Sequence, residues 1–528
     1  MRLLPFTPAS ATLVGGLAAA ALLVGCDGTS GPGNDFEPSD IRIDEAGAGD
    51  TTVNSSSPRM CLSENGNIYV VWYDDREGGN DIWFQASLNG GEGWLTRPTQ
   101  VNTGTGAATN PDIACIGNTV FIVWEDASDG DIEAKNIYFS RSDSAGSSWL
   151  EEPLRLDADP QGKYMSITPR MVAAGDEVHV VWADVVNGAY DIYAASSTSR
   201  GTSFADPVRV DSDQPGSAFS AFPTLAIDGN GTVVVAWEDS RNELNDIYAA
   251  VSKDSGASFS EDMRLDGGDD PGSADSFSPR VALGGGHAYV VWHDERNGAN
   301  SDVLMNWSSD GGSTWQASAA RVETDEAGAA DSTFPDVAMV GTLAHVVWQD
   351  DRNGGYDIFY RSYDGGVART IEANRANSGE PAEADGELRL DYGNNPGFGN
   401  SINVRIEAVQ ETVVAAWEDR RNDGYNPADP GGEVDPQGYN EVYYNYSDDA
   451  GNIWGDLGSD GLHIDSYCKG QKYSRDVDVE IDGDRVIAVW RDGRRGNDDV
   501  FFGAQDLGES AEFAPNDLCV TDDSADPQ

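Results

Sequence analysis

Positive charge is scarce in this chain. Lys and Arg number 33 against 91 Asp and Glu, a formal net charge of −58, and the lysines are only Lys135, Lys163, Lys253, Lys469 and Lys472. So acidic a surface repels phosphate backbones and anionic lipid, which excludes nucleic acid and membrane surfaces as partners. It suits a high-salt medium, where added ions screen the self-repulsion. Histidine is sparse too: His179, His287, His293, His345 and His463 are scattered without metal-ligand spacing. Gly-x-Ser-x-Gly, His-Glu-x-x-His and a phosphate loop are all missing, so none of the chemistries those motifs carry is indicated. No window beyond the first 25 residues carries the helical period, which points to an all-β chain.

What the chain has instead is a repeat. An apolar run ending in Trp, with an acid two places on, recurs as VVWYD (70–74), IVWED (122–126), VVWAD (180–184), VAWED (235–239), VVWHD (290–294), VVWQD (346–350), AAWED (415–419) and AVWRD (488–492). The tryptophans, Trp72, Trp124, Trp182, Trp237, Trp292, Trp348, Trp417 and Trp490, lie 52 to 73 residues apart. A period of this size means an array of supersecondary units, none of which buries its faces alone. Upstream stand strand openers such as SPRM (57–60), NPDI (110–113) and FPDV (334–337). Downstream come strands such as DIYA (246–249), then others of the form LRLD (154–157). Short β-branched and aromatic runs between Gly, Asn and Asp clusters read as a four-stranded meander. Four strands repeated radially make a β-propeller. The expected fold is all-β: a propeller of eight four-stranded antiparallel blades over residues 40–505, followed by a C-terminal tail, 506–528. The last unit lacks a fourth strand, whereas IRID (41–44) matches one. The N-terminal strand is therefore expected to complete blade eight and close the ring.

A second motif recurs between the third and fourth strands. SKDSGASF (252–259) and SSDGGSTW (308–315) read Ser-x-Asp-x-Gly-x-Ser/Thr-aromatic, and SLNGGEGW (87–94), SDSAGSSW (142–149), STSRGTSF (197–204), SYDGGVAR (362–369) and SDDAGNIW (447–454) are weaker copies. In such a turn the Asp carboxylate accepts main-chain N–H groups and Gly supplies a positive φ. The pattern resembles the Asp-box, or bacterial neuraminidase repeat, of sialidase-like propellers, over roughly residues 40–505. The resemblance implies structural turns at Ser252, Asp254, Gly256 and Phe259, at Ser308, Asp310, Gly312 and Trp315, at Ser362, Asp364 and Gly366, and at Ser447, Asp449, Gly451 and Trp454. It also places them on the face opposite an active site. A sialidase-type activity would need an arginine triad, a Tyr nucleophile paired with Glu, and an Asp acid. The Phe-Arg-Ile-Pro sequence that usually carries the first arginine is absent. SPRM, TPRM and SPRV put Arg59, Arg170 and Arg280 at comparable strand openings, and their repetition from blade to blade argues for a structural role.

Residues 1–25 read as a lipoprotein signal, with Arg2, a short apolar stretch over 9–25 and the lipobox Leu23-Val24-Gly25-Cys26. Cys26 is then the lipidated first residue and residues 26–39 form a Gly/Ser/Pro/acid-rich tether. The propeller is expected to be a monomer, lipid-anchored in a bacterial cell envelope, in the periplasm or at the cell surface, and to meet membrane only through its anchor. The remaining Cys61, Cys115, Cys468 and Cys519 allow three disulfide pairings. Cys61 and Cys115 fall in the first strands of adjacent blades and Cys519 lies in the tail, which favours 61–115 with 468–519. Free buried thiols are the alternative for the first pair.

Loops after the second and fourth strands share the face opposite the Asp-boxes. Asp-x-Arg repeats there, in DDREGGND (74–81), DSRNELND (239–246), DERNGANSD (294–302) and DDRNGGYD (350–357). Arg76, Arg241, Arg296 and Arg352 thus form a candidate binding face, although turn chemistry and local ion pairs account for the same residues. Acid pairs here and in DSDQPG (211–216) and DGGDDPG (266–272) fit Ca²⁺ ligation as well as tight turns. Ca²⁺ is the single cofactor the sequence suggests. Blade six carries an insertion at roughly 370–387 on the Asp-box side, and blade seven inserts NPADPGGEVDPQGY (426–439) into the opposite face, between Tyr425 and Tyr439. Insertions into repeat arrays mark binding faces. Two functions follow: a non-enzymatic module binding a protein or glycan ligand, or a glycoside hydrolase of the exo-sialidase type.

Overall fold

A computed structural model describes residues 40–44, 53–104, 106–127, 134–157, 163–371, 386–391, 396–397, 399–420, 440–454, 462–464, 473–493 and 497–507. The expected signal and tether with Cys26, the expected pair Cys468 and Cys519, most of the blade-six insertion and all of 421–439, with Tyr425 and Tyr439, lie outside the described residues.

Eight antiparallel sheets succeed one another along the chain, each entered through its inner strand. Blade one comprises Ser55–Leu62, Ile68–Asp74, Asp81–Ser87 and Thr99–Gln100. Blades two to seven repeat that order, their inner strands being Ala108–Ile116, Ser166–Ala174, Ser220–Ile227, Ser276–Gly284, Ser332–Val340 and Ser401–Val409. Blade eight has Ser474–Asp482, Arg485–Asp492 and Asp499–Asp506, and takes its fourth strand, Asp40–Arg42, from the start of the propeller. Asp40 stands opposite Gly503 and Arg42 opposite Phe501. Asp44 then accepts the Val500 N–H at 2.9 Å and the Ser55 hydroxyl at 2.5 Å, which ties blade eight to blade one. The ring closes as the missing strand implied.

The Trp strands are apolar on both faces because each sheet lies between two others. Thr119–Asp126 is buried at every residue. The acid two places after Trp is buried as well. Trp72, Trp124, Trp237 and Trp417 donate their indole N–H groups to Asp74, Asp126, Asp239 and Asp419 at 2.8, 3.0, 3.0 and 3.1 Å. The Ser that opens an inner strand donates to the same acid: Ser166 to Asp184, Ser220 to Asp239, Ser332 to Asp350 and Ser474 to Asp492, at 2.7 to 3.0 Å. The W-x-D signature is therefore a cross-strand fastening.

Each inner strand bulges at one residue: Ser57, Asn110, Thr168, Phe222, Ser278, Phe334, Asn403 and Asp476, all with φ between 49° and 57°. Six of the eight precede Pro, whose missing N–H suits the unpaired residue that a bulge leaves. Neighbouring inner strands pack side by side around the axis. The Cys61–Cys115 disulfide links the first two.

The Asp-box turns form in blades four, five and seven. Ser252, Ser308 and Ser447 accept the N–H groups of Gly256, Gly312 and Gly451 at 2.8, 2.8 and 3.0 Å. Asp254, Asp310 and Asp449 accept those of Ser258, Thr314 and Ile453 at 2.9, 2.8 and 2.7 Å. Phe259 and Trp315 pack against the core, and Trp454 meets Tyr360 edge-on at 4.6 Å. Blade six departs from the pattern. Asp364 pairs directly with Val367 across Gly365 and Gly366, at φ 55° and 78°, and the Gly366 N–H goes to the Tyr289 hydroxyl at 2.7 Å instead of to Ser362. Gly-Gly between strands favours this tight hairpin turn, and Ala368, where Ser258 and Thr314 stand in the other boxes, has no hydroxyl to give the Asp364 carboxylate.

Closure predicts a loss that spreads round the ring. A chain shortened to begin at residue 50 should unfold at a lower midpoint in a single transition. Asp44→Ala should cost about 2 kcal/mol, because the buried Ser55 and Val500 donors lose their acceptor. An unchanged midpoint in chemical unfolding would mean that the ring does not depend on this strand.

Candidate functional site

The repeated loop arginines are fasteners. Arg241 grips Asp239 through Nε and Nη2 at 2.8 and 2.6 Å and reaches Asp262 at 2.8 Å. Arg296 grips Asp294 at 2.7 Å through both nitrogens and donates to the Asp266 carbonyl at 2.7 Å. Arg76 bonds Asp74 and lies 4.0 Å over Trp83, and Arg352 joins Asp350 to Glu387 with its guanidinium 4.1 Å over Phe359. Bidentate pairing and stacking use up the donors that a ligand would need. The acid loops are similar. Asp191, Asp211 and Asp213 bring one carboxylate oxygen each within 4.8 Å of one another, and the positive charge among them is Arg209, bonded to all three. Burial pushes the Asp211 carboxyl up to about 8 despite Arg209.

The axial channel was not read from the sequence. Two residues past each bulge, the inner strands present Arg59, Asp112, Arg170, Thr224, Arg280, Asp336, Arg405 and Asp478 in blade order, all half-buried. Charge alternates around this ring except at Thr224. One step further along, blades seven and eight present Glu407 and Glu480. Burial raises the Glu407 carboxyl to about 7, with Asp336 and Asp478 adding to the shift. Glu480 is raised well above its usual range by burial and then by Glu407. The signal was the third residue of each strand opener, R-D-R-T-R-D-R-D.

The mouth of the channel also breaks symmetry. In four blades the side chain after Trp reaches over to the next bulge: Glu125 accepts the Thr168 N–H at 2.6 Å, Glu238 that of Ser278 at 2.8 Å, Gln349 that of Asn403 at 3.0 Å and Glu418 that of Asp476 at 2.9 Å. At the bulges of blades four and six this position holds Ala183 and His293, and the left-handed residues are Phe222 and Phe334. These rings are 52% and 47% exposed. Phe219, 39% exposed, meets Tyr190 edge-on at 5.4 Å. His293 lies 5.6 Å from Phe277 and 5.5 Å from Phe334. It is 8% exposed, its Nδ1 has no partner among the described residues, and burial pulls it down to about 4, so it is neutral at pH 7. Acids border these rings. Burial raises Glu238 to about 7; burial, then Asp275 and Asp331, raises Glu295. The Tyr356 hydroxyl donates to Asp331 at 2.7 Å.

The geometry defines an eight-bladed β-propeller whose mouth is aromatic and acidic over blades four to six. No family model matches the chain, and no curated protein matches it. Solved structures do. A protein of unknown function from Dyadobacter fermentans is 13% identical, with 61% of this chain and 96% of that one covered and a TM-score of 0.38. The α-L-arabinanase of Penicillium chrysogenum is also 13% identical, at 59% and 94% coverage and a TM-score of 0.37. A Streptococcus pneumoniae sialidase is 10% identical, at 74% and 68% coverage and a TM-score of 0.36. The likeness is one of fold alone.

The raised channel acids give a pH dependence of definite sign. Glu407 binds its proton more tightly folded, at about 7, than at its ordinary 4.5. Its contribution to stability is therefore complete below 4.5 and is lost as pH rises through 7. Glu407→Gln should lose less stability than the parent between those limits in urea titrations. Parallel pH profiles would show that Glu407 titrates normally.

Proposed function

We propose that the protein is an exported, lipid-anchored binding module that takes a glycan at the channel mouth over blades four to six, without acting on it. The observation that carries this reading is the pair Phe222 and Phe334. A bulky residue at positive φ is strained, and an exposed aromatic ring adds a cost in water. Both occur at the two bulges where most other blades use Ser, Thr, Asn or Asp. Strain held at a surface points to function. Exposed aromatic faces stack on the C–H faces of sugars, while Glu295, Asp275 and Asp331 offer acceptors for hydroxyls. An acid-rimmed mouth favours neutral or amino sugars over sialic acid.

One feature favours a sialidase-type hydrolase instead: Tyr356 beside Asp331 places a phenol and a carboxylate together. Burial and the hydrogen bond to Asp331 push that phenol well above its ordinary value, the reverse of what a nucleophile needs. Anchoring by Cys26 and residence in the cell envelope are part of the proposal, and [³H]palmitate labelling lost in Cys26→Ala would establish the anchor.

On an array of neutral, amino and sialylated glycans, the protein should bind neutral or amino glycans. Phe222→Ala and Phe334→Ala should each weaken binding by about tenfold or more, the loss usual for an aromatic anchor. Arg296→Ala should alter stability and leave affinity intact. Turnover of a fluorogenic sialoside, abolished by Tyr356→Phe, would favour the hydrolase.

A further inference from the structure

We infer that a small inorganic anion completes the charge ring of the axial channel, seated at Thr224 between the guanidinium groups of Arg170 and Arg280. This inference is independent of the glycan reading and concerns a different layer of the propeller.

The ring is short of carboxylate. Asp112, Asp336 and Asp478 each accept the main-chain N–H of the next blade, from Met171 at 2.8 Å, Ile406 at 3.2 Å and Met60 at 2.8 Å. One oxygen of each is thereby held against the wall. Each channel arginine folds one nitrogen back on the carbonyl before it: Arg59 on Pro58 at 3.2 Å, Arg170 on Pro169 at 3.0 Å, Arg280 on Pro279 at 3.2 Å and Arg405 on Val404 at 3.1 Å. Among the described residues no carboxylate comes within ion-pair range of Arg59, Arg170 or Arg405, and Arg280 reaches Asp336 only at 3.9 Å. The loop arginines, by contrast, are held bidentately at 2.6 to 2.8 Å. Four half-buried guanidinium groups thus face one axis with donors to spare.

The guanidinium groups crowd one another. Burial brings Arg280 down to about 10, and Arg405, Arg170 and Arg59 push it the same way against the single opposing charge of Asp336. Blade four is where the shortage is greatest. The alternation calls for an acid there, and the residue is Thr224, which neither carries charge nor takes the Val281 N–H as its counterparts do. Glu407 and Glu480 do not fill the gap. They stand on blades seven and eight, across the ring from blade four, and are raised toward the neutral acid. An anion at Thr224 would meet guanidinium N–H groups from both sides, the arrangement that binds oxyanions most strongly.

Sulfate is the probe, titrated calorimetrically into the purified protein in chloride-free HEPES buffer, with unfolding midpoints recorded alongside. One saturable sulfate per chain is expected, with a midpoint that rises with sulfate. Thr224→Asp supplies the missing carboxylate. It should weaken sulfate about ten- to a hundredfold, the equivalent of one charge-assisted hydrogen bond, and should unfold at or above the parent's midpoint without anion. Thr224→Val should keep the sulfate response. Arg280→Gln should weaken sulfate by a similar factor, which tests the site even if the Asp variant fails to fold. Absence of saturable sulfate binding would overturn the inference, as would full affinity in Thr224→Asp or in Arg280→Gln.

Discussion

The acid two residues beyond each Trp is shut away between the first two strands of its blade, and it must find its hydrogen bonds inside the protein. It finds the Trp indole in seven blades, the Ser that opens the inner strand in six and, in several, an Arg two residues on. Asp294 shows the balance of forces. Burial pushes its carboxyl up, and Arg296 with Ser276 more than reverses the shift, so that it lies below the ordinary range. Asp184, whose loop has Val186 in place of Arg, stays raised by burial. A unit so fastened holds its four strands in register, and eight units then bury their tryptophans against one another.

This constraint sorts the repeated residues from the singular ones. Repetition follows from packing that is the same in every blade. Chemistry directed at a ligand has no reason to recur eightfold, and it is to be sought where the pattern fails. It fails at Thr224 in the ring of channel charges, at Phe222 and Phe334 among the bulges, and at Ala183 and His293 beneath them, all in blades three to six; Tyr73 and Arg491, after Trp in blades one and eight, depart from it as well.

Much of this was legible in the sequence, because period and turn chemistry are local. Eight W-x-D copies gave the blade number, and the orphan strand 41–44 gave the closure. The Asp-boxes of blades four, five and seven followed from Ser, Asp and Gly at fixed offsets. The blade-six turn did not, since Gly365-Gly366 before Val367 satisfies a tighter hairpin equally well. Arg76, Arg241, Arg296 and Arg352 looked available to a ligand because sequence does not say whether an Arg turns outward or back to an acid two residues earlier. The channel ring is written in the chain as the third residue of each strand opener. Its meaning depends on residues some 55 positions apart in sequence sharing one axis, which only closure of the ring supplies. Exposure of Phe222 and Phe334 likewise depends on which residues fail to cover them.

The central claim is that ligand is taken where the eightfold pattern breaks and not at the repeated Asp-x-Arg loops. Hydrogen–deuterium exchange, read with and without the tightest-binding oligosaccharide, tests it most directly. The account predicts new protection in peptides covering 219–222, 277–280, 291–295 and 331–336, with the loops at 74–81 and 239–246 unchanged. Protection confined to those loops, or to the 426–439 insertion, would contradict it.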